Sequence, residues 1–296
     1  MLSELLIPLH IKYIQSLDNH KDDLMYHLTS HLRLNGVYWG ITALCIMGAQ
    51  DALSREDMIE FVMSCWDKEA GAFGAHPGHD AHILSTLSGI QILATQDALD
   101  RLDVPRVTNF ILGLQQPSGT FAGDRFGETD TRFLYCSVSA LSLLKRLPAL
   151  DRDNGRARAI DHLIKCRNFD GGFGVSPGAE SHAGQIFVCV AALTILDRLD
   201  VVDADTLAWW LAERQLPNGG LNGRPEKLED DSDAGGIADR PDNTADVFHT
   251  HFGIAGLSIL GYPHLEDLDP VYCMPARVID RLGLRKSWLG LPRREG

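Results

Sequence analysis

Residues 166–178 read CRNFDGGFGVSPG, and the phrase returns along the chain. It recurs as CWDKEAGAFGAHPG from Cys65, LQQPSGTFAGDRFG from Leu114, RQLPNGGLNGRPEK from Arg214 and SDAGGIADRPD from Ser232. Each copy combines a turn, glycine and one apolar residue. Aligned on that residue, the copies bring Phe73, Phe121, Phe173, Leu221 and Ile237 into register, at intervals of 48, 52, 48 and then 16 residues. A fixed period of this size marks a repeat architecture, one supersecondary unit stacked on the next.

Between the copies the text is helical. In DALSREDMIEFVMSC, Ser54 stands where a helix cap is needed, and Met58, Ile59, Phe61, Val62 and Cys65 recur at near-helical spacing. LSGIQILATQDAL, VSALSLLKRL, IFVCVAALTILDRL and HFGIAGLSILGY are apolar nearly all round, as inner helices covered by neighbours must be. No stretch alternates polar and apolar residues long enough to argue for a sheet. The reading is all-α: helical hairpins of about 50 residues, forming an α/α barrel (toroid) or an open superhelix. Closure would gather every glycine turn at one end of a barrel; alternatively, the turns only reverse the chain.

The chain has 296 residues and a formal charge of −13, with no basic run, which argues against a nucleic-acid partner. Six scattered cysteines without a C-x-x-C pair read as buried, reduced thiols. The opening MLSELLIPLHIKYIQSL has an early Glu4, no basic start and a break at Pro8, so it fits neither a secretory signal nor a membrane span; a cytoplasmic protein is expected.

Glu180-Ser181-His182-Ala183-Gly184-Gln185, joined with Gly223-Arg224-Pro225-Glu226-Lys227 one repeat later, is the sharpest local signal. An imidazole, a guanidinium and an ammonium at matching places of consecutive repeats make a cradle for a diphosphate leaving group. Taken singly, His182 reads equally as a helix-start or core histidine, and Arg224 and Lys227 as solvated loop residues. Asp246-Val247-Phe248-His249-Thr250-His251 opens an apolar helix; one histidine and one carboxylate do not make a zinc site, so capping or core roles stay open for His249 and His251. The acidic run Leu228-Glu229-Asp230-Asp231-Ser232-Asp233 reads as a hydrated loop, or as a magnesium or proton-donating site. His76, His79 and His82 cannot all share a face of a helix starting near Ala81, and structural roles are expected for them.

The stretches at 32–40, 78–88, 113–133, 168–187, 209–230, 246–261 and 270–275 resemble the β subunits of Rab geranylgeranyltransferases, a branch of the protein prenyltransferases. ESHAGQ, NGRPEKL and FHTHFGIAGLSILG carry the resemblance most specifically, and it spans residues 16 to 283, leaving an N-terminal segment, 1–15, and a tail, 284–296. It implies a barrel whose apolar funnel binds geranylgeranyl diphosphate, a catalytic zinc at the rim, and an α subunit forming a heterodimer. The acceptors would be C-terminal cysteines of Rab GTPases brought by a Rab escort protein. By motif position, His182, Arg224 and Lys227 would cradle the diphosphate with Ala183 and Gly184 beside them. Asn35, Leu87 and Tyr135 would set the funnel's depth, although the resemblance calls for a small residue where Asn35 stands.

The resemblance also implies zinc ligands at Asp230 and His249, with Asp246 behind the histidine, and a cysteine two residues after Asp230. This chain has Asp231 and Ser232 there, so the middle ligand is missing. That gap coincides with the 16-residue interval, which falls short of the others by 32 to 36 residues, one inner and one outer helix. A leaky or open ring with weak zinc affinity is expected. Two other readings remain: a non-catalytic helical-repeat binding protein retaining the α-subunit surface, and a terpene cyclase, for which the chain is short.

Overall fold

The computed structural model describes residues 5–20, 24–216, 222–224, 236–238 and 243–287. Lys227, Asp230 and Ser232 lie outside the described residues. The helices are α1 (Ile7–Ser16), α2 (Leu24–Leu28), α3 (Arg33–Ile46), α4 (Arg55–Ser64), α5 (Ile83–Thr95) and α6 (Val104–Gly113), followed by α7 (Thr131–Leu143), α8 (Gly155–Cys166), α9 (Ala183–Ile195), α10 (Ala204–Ala212), α11 (Val247–Ile259) and α12 (Ala276–Leu282). The described strands are two-residue pairs: β1 (Trp66–Asp67) with β2 (Ala72–Phe73), and β3 (Leu268–Asp269) with β4 (Met274–Pro275), both antiparallel.

Burial separates two helix classes. In α7, 12 of 13 residues are buried, whereas α6 buries only Val107, Thr108 and Ile111, a single stripe. A helix covered on all sides belongs inside, and one with a stripe belongs outside. The inner helices α3, α5, α7 and α9 pack consecutively, and α11 packs on the free side of α3. The order is therefore α11–α3–α5–α7–α9, an arc of a barrel. Among the described residues no comparable packed pair joins α9 to α11.

The glycine turns tie neighbouring repeats together. The residue two places after four of the five aligned apolar residues offers its carbonyl to the first turn of the preceding inner helix: Ala75 to Leu34 N–H (3.0 Å), Gly123 to Ile83 (2.8 Å), Val175 to Thr131 (3.2 Å) and Gly223 to Ala183 (3.0 Å). These bonds satisfy N–H groups that a helix start otherwise leaves orphaned. They also gather the N-terminal ends of the inner helices and the turns at one rim. Each turn is followed by its own inner helix, as Phe73 N–H on Thr86 Oγ1 (3.1 Å) and Ile237 N–H on Thr250 Oγ1 (2.8 Å) show for α5 and α11. The turn at 222–224 is the exception: no inner helix of its own lies among the described residues.

Apolar surface is exposed where that hairpin would sit. On α11, Phe248, Phe252 and Ile259 follow helical spacing and are 40%, 37% and 38% exposed, and Leu260 just beyond is 54% exposed. On α10, Trp209 is 71% exposed. α1 closes the other flank of α11: Ile14 is buried, His10 Nδ1 accepts the Gly236 N–H (3.0 Å), and the Tyr13 hydroxyl donates to the Ala245 carbonyl (2.9 Å).

Candidate functional site

His182 caps the start of α9. Its Nδ1 accepts the Gly184 N–H at 3.0 Å, which leaves the ring proton of the neutral imidazole on Nε2. The preceding turn is knit tightly: Asn168 Nδ2 donates to the Ala179 carbonyl (2.8 Å) and to Ser181 Oγ (2.9 Å), and Ser181 Oγ donates to Asp170 Oδ1 (2.8 Å). Gln185 Oε1 accepts from Thr131 Oγ1 of α7 at 2.6 Å, which fixes the first turn of α9 against its neighbour.

Gly223 is pressed against this histidine. A Cβ on Gly223 would stand 3.3 Å from His182 Nε2, and its carbonyl holds the Ala183 N–H. Arg224, the next residue, is exposed. Gly223 thus places the backbone leading to Arg224 beside His182 at the N-terminus of α9, some 40 residues away in the chain, where the helix dipole favours an anion. The same packing occurs two repeats earlier: His82 Nδ1 accepts the Leu84 N–H at 3.2 Å, and a Cβ on Gly123 would come within 2.4 Å of His82 Nε2. There the following residues are Asp124 and Arg125, and Arg125 pairs with Asp80, so the positive charge is compensated. His82 serves as the cap of α5, while His76 and His79 lie with ring centroids 5.5 Å apart.

Asp246 caps α11 through Oδ1, which accepts the His249 N–H (2.9 Å), and its Oδ2 accepts from His249 Nδ1 (2.6 Å). The carboxylate thereby orients the ring and leaves Nε2 as the lone-pair nitrogen, as a metal-binding histidine requires. The remaining donors do not follow. Among the described residues no three His, Cys, Asp or Glu side chains group as a metal site, and the sequence has Ser232 where a thiolate would be needed. All six cysteines are buried, and burial pushes every thiol up, Cys45 and Cys65 to about 11 and Cys136, Cys166 and Cys273 to about 12. A catalytic zinc takes three protein ligands, so the described residues alone do not fit one.

Asn35, Leu87 and Tyr135 lie on α3, α5 and α7, with Leu87 and Tyr135 buried. Asn35 Nδ2 donates to Ser88 Oγ (3.1 Å), and the Tyr135 hydroxyl donates to the Val271 carbonyl (3.0 Å). His251 faces the interior from α11, fully buried, its Nε2 3.4 Å from Cys273 Sγ. The stretch 270–275, PVYCMP, carries no polar motif that marks a role, yet Val271, Tyr272 and Cys273 are bonded to inner helices. The signal available was only a short apolar string near the C-terminus.

Comparison with known proteins agrees with this architecture. The family described as the prenyltransferase alpha-alpha toroid domain matches residues 5–232 and 230–274, in two pieces that meet where the repeat interval shortens. The chain is 49% identical over 311 residues to the geranylgeranyl transferase type-2 subunit beta of Saccharomyces cerevisiae, covering 92% of this chain and 94% of that one. Since 92% of 296 residues is about 272, about 39 aligned positions of those 311 face no residue here. It is 43% identical to the type-2 subunit beta 1 of Arabidopsis thaliana, over 92% of this chain and 94% of that one. The solved structure of Candida albicans protein geranylgeranyltransferase-I complexed with GGPP superposes with a TM-score of 0.82 at 18% identity, covering 96% of this chain and 100% of that one.

Proposed function

Because the chain belongs to the prenyltransferase alpha-alpha toroid family, among the geranylgeranyl transferase type-2 β subunits, we propose that it binds geranylgeranyl diphosphate for transfer to C-terminal cysteines of Rab GTPases. Its partners in this reading are a prenyltransferase α subunit and a Rab escort protein that delivers the acceptor, in the cytoplasm. No helix among the described residues is long and apolar enough to cross a membrane.

The observation that supports the reading is the meeting of His182 and Gly223, the residue before Arg224, at the N-terminus of α9. The His182 Nε2 proton, the Arg224 guanidinium and the Lys227 ammonium are the donors that would hold the diphosphate, beside the positive end of the α9 dipole. In the transfer, the acceptor sulfur bonds to the first carbon of the prenyl group, the carbon–oxygen bond to diphosphate breaks, and the thiol proton is released. Charge builds on the departing oxygens, so donors fixed in advance stabilise that step most. Asn35, Leu87 and Tyr135 would bound the hydrocarbon.

The family's zinc supplies a thiolate at neutral pH, and Asp230 and His249 are the positions that would serve it. With the middle donor absent, we propose a chain that binds the prenyl diphosphate and transfers its prenyl group slowly. The missing hairpin accounts for the lost donor, the split family match and the apolar face of α11 together.

The test is calorimetric titration of the chain, with its α subunit, using geranylgeranyl diphosphate and, separately, zinc. Saturable binding of the diphosphate, weakened at least ten-fold by Arg224→Ala, is expected. Absence of that binding would refute the function, and stoichiometric tight zinc binding would refute the incomplete metal site.

A further inference from the structure

We propose that Arg214 is a buried positive charge set behind the fourth glycine turn to strengthen diphosphate binding without touching the ligand, an inference that rests on the prenyl-diphosphate reading above. The repeat itself supplies the comparison. Cys65, Leu114, Cys166 and Arg214 hold the same place at the ends of the outer helices α4, α6, α8 and α10. Each offers its carbonyl to the residue after the aligned apolar one: Gly74 N–H (3.0 Å), Ala122 (2.9 Å), Gly174 (3.0 Å) and Asn222 (3.0 Å). In three turns a buried thiol or leucine occupies the place. The fourth puts a guanidinium there, and the residue is only 8% exposed.

That guanidinium is poorly matched by its surroundings. Its carbon lies 4.7 Å from the Trp210 ring centroid, a cation–π contact, and its Nη2 stands 3.8 Å from Glu213 Oε2. The Glu213 side chain is half exposed, and its other oxygen already accepts from Trp209 Nε1 (3.0 Å), so this pairing is shared and weakened by solvent. Nε and Nη1 of Arg214 are shut off from solvent without a hydrogen-bond acceptor. An arginine does not shed its proton, so the charge stays, and a buried charge without full pairing is costly. Packing does not demand it, since a thiol or a leucine serves the same place in the sibling turns.

The fourth turn differs from the others in where it leads. Asn222, held by the Arg214 carbonyl, is followed by Gly223 against His182 and then by Arg224, the residues read above as part of the diphosphate cradle. The second turn has the same histidine-on-glycine packing, His82 against Gly123, but its Arg125 is paired with Asp80, and there the place of Arg214 is taken by Leu114. An apolar residue thus stands under the turn whose charge is compensated, and a cation under the turn read as an anion site. At about 10 Å and an effective dielectric constant of about 20, one unit charge changes the affinity for another on the order of ten-fold. Burial keeps salt from screening it. Arg214 is a positioning residue: its backbone supports the turn, and its side chain supplies charge behind it.

Two ligands decide the matter in the full chain with its α subunit: a twenty-carbon prenyl diphosphate and the uncharged twenty-carbon prenol, each titrated calorimetrically. Arg214→Met, which keeps an unbranched side chain against Trp210, should weaken the diphosphate at least ten-fold and change the prenol less than three-fold. Arg214→Lys, which keeps the charge, should stay within three-fold of the unaltered protein for both ligands. An unchanged diphosphate affinity in Arg214→Met would overturn the proposal, as would an equal loss for both ligands, the mark of a structural role alone, or a loss in Arg214→Lys as large as in Arg214→Met. Should Arg214→Met not fold, Arg214→Gln decides by the same two titrations. If the unaltered protein does not bind the diphosphate at all, the function reading itself fails, whereas binding indifferent to Arg214 sinks only this inference.

Discussion

Lowering the pH should unfold this protein through a single buried imidazole more than through any surface charge. His251 lies on α11 with Tyr38 of α3 and Cys273 of the C-terminal hairpin against it, and is 0% exposed. Burial brings its pKa from the ordinary 6.5 down to about 3, opposed weakly by the backbone of Trp39. Between those values the unfolded chain binds a proton that the folded chain refuses. Stability is therefore full above pH 6.5, falls as the pH drops below it, and levels off near pH 3. At 1.36 kcal/mol per pH unit, lowering the pH from 7 to 5 removes about 2 kcal/mol through this group, a large share of a total of about 5–15 kcal/mol.

The assay is urea unfolding at pH 7 and pH 5 for the protein and for His251→Leu. The lost contact with Cys273 Sγ lowers the variant's stability at both pH values and cancels in the difference. His10, His82 and His162, also lowered by burial, act with the same sign in both proteins and cancel too. The protein should lose about 2 kcal/mol more than the variant over this interval. Equal pH dependence of the two would show that His251 is hydrated or protonated in the folded state.

Three further outcomes are expected. Gly119→Ala places a methyl 2.0 Å from the Arg158 carbonyl oxygen at φ 93°, a clash with backbone that no side-chain rotation relieves, and should cost about 1–3 kcal/mol in urea unfolding. Gly223→Val should lower the affinity for geranylgeranyl diphosphate in calorimetry, because its branched side chain starts 3.3 Å from His182 Nε2 and displaces the ring. Phe252→Ser combined with Leu260→Ser should reduce self-association in light scattering with little loss of helix by circular dichroism, since these residues are 37% and 54% exposed on the uncovered side of α11.

The two hairpin ends show what a repeat can and cannot announce. Phe73, Phe121 and Phe173 recur at about 50 residues because each fills the same place beneath a turn, and a local requirement repeated in space must be repeated in sequence. Ser54 could be read as a cap for the same reason: a cap satisfies N–H groups two or three residues away. The short interval before Ile237 likewise marks an interruption, and among the described residues no strongly packed pair joins α9 to α11.

By itself, the sequence determined the helical period, the inner and outer classes, the matched placement of His182 and Arg224, and the absence of a cysteine after Asp230. Those are properties of near neighbours or of a constant period. Only the tertiary structure decided that α11 closes on α3, that Gly223 packs against His182, and that Tyr272 is wholly buried among the inner helices. Each of these depends on groups far apart in the chain, such as Tyr38 and Cys273, 235 residues away from each other. No local pattern encodes such pairs, because the chain between them fixes their approach only once every hairpin has packed.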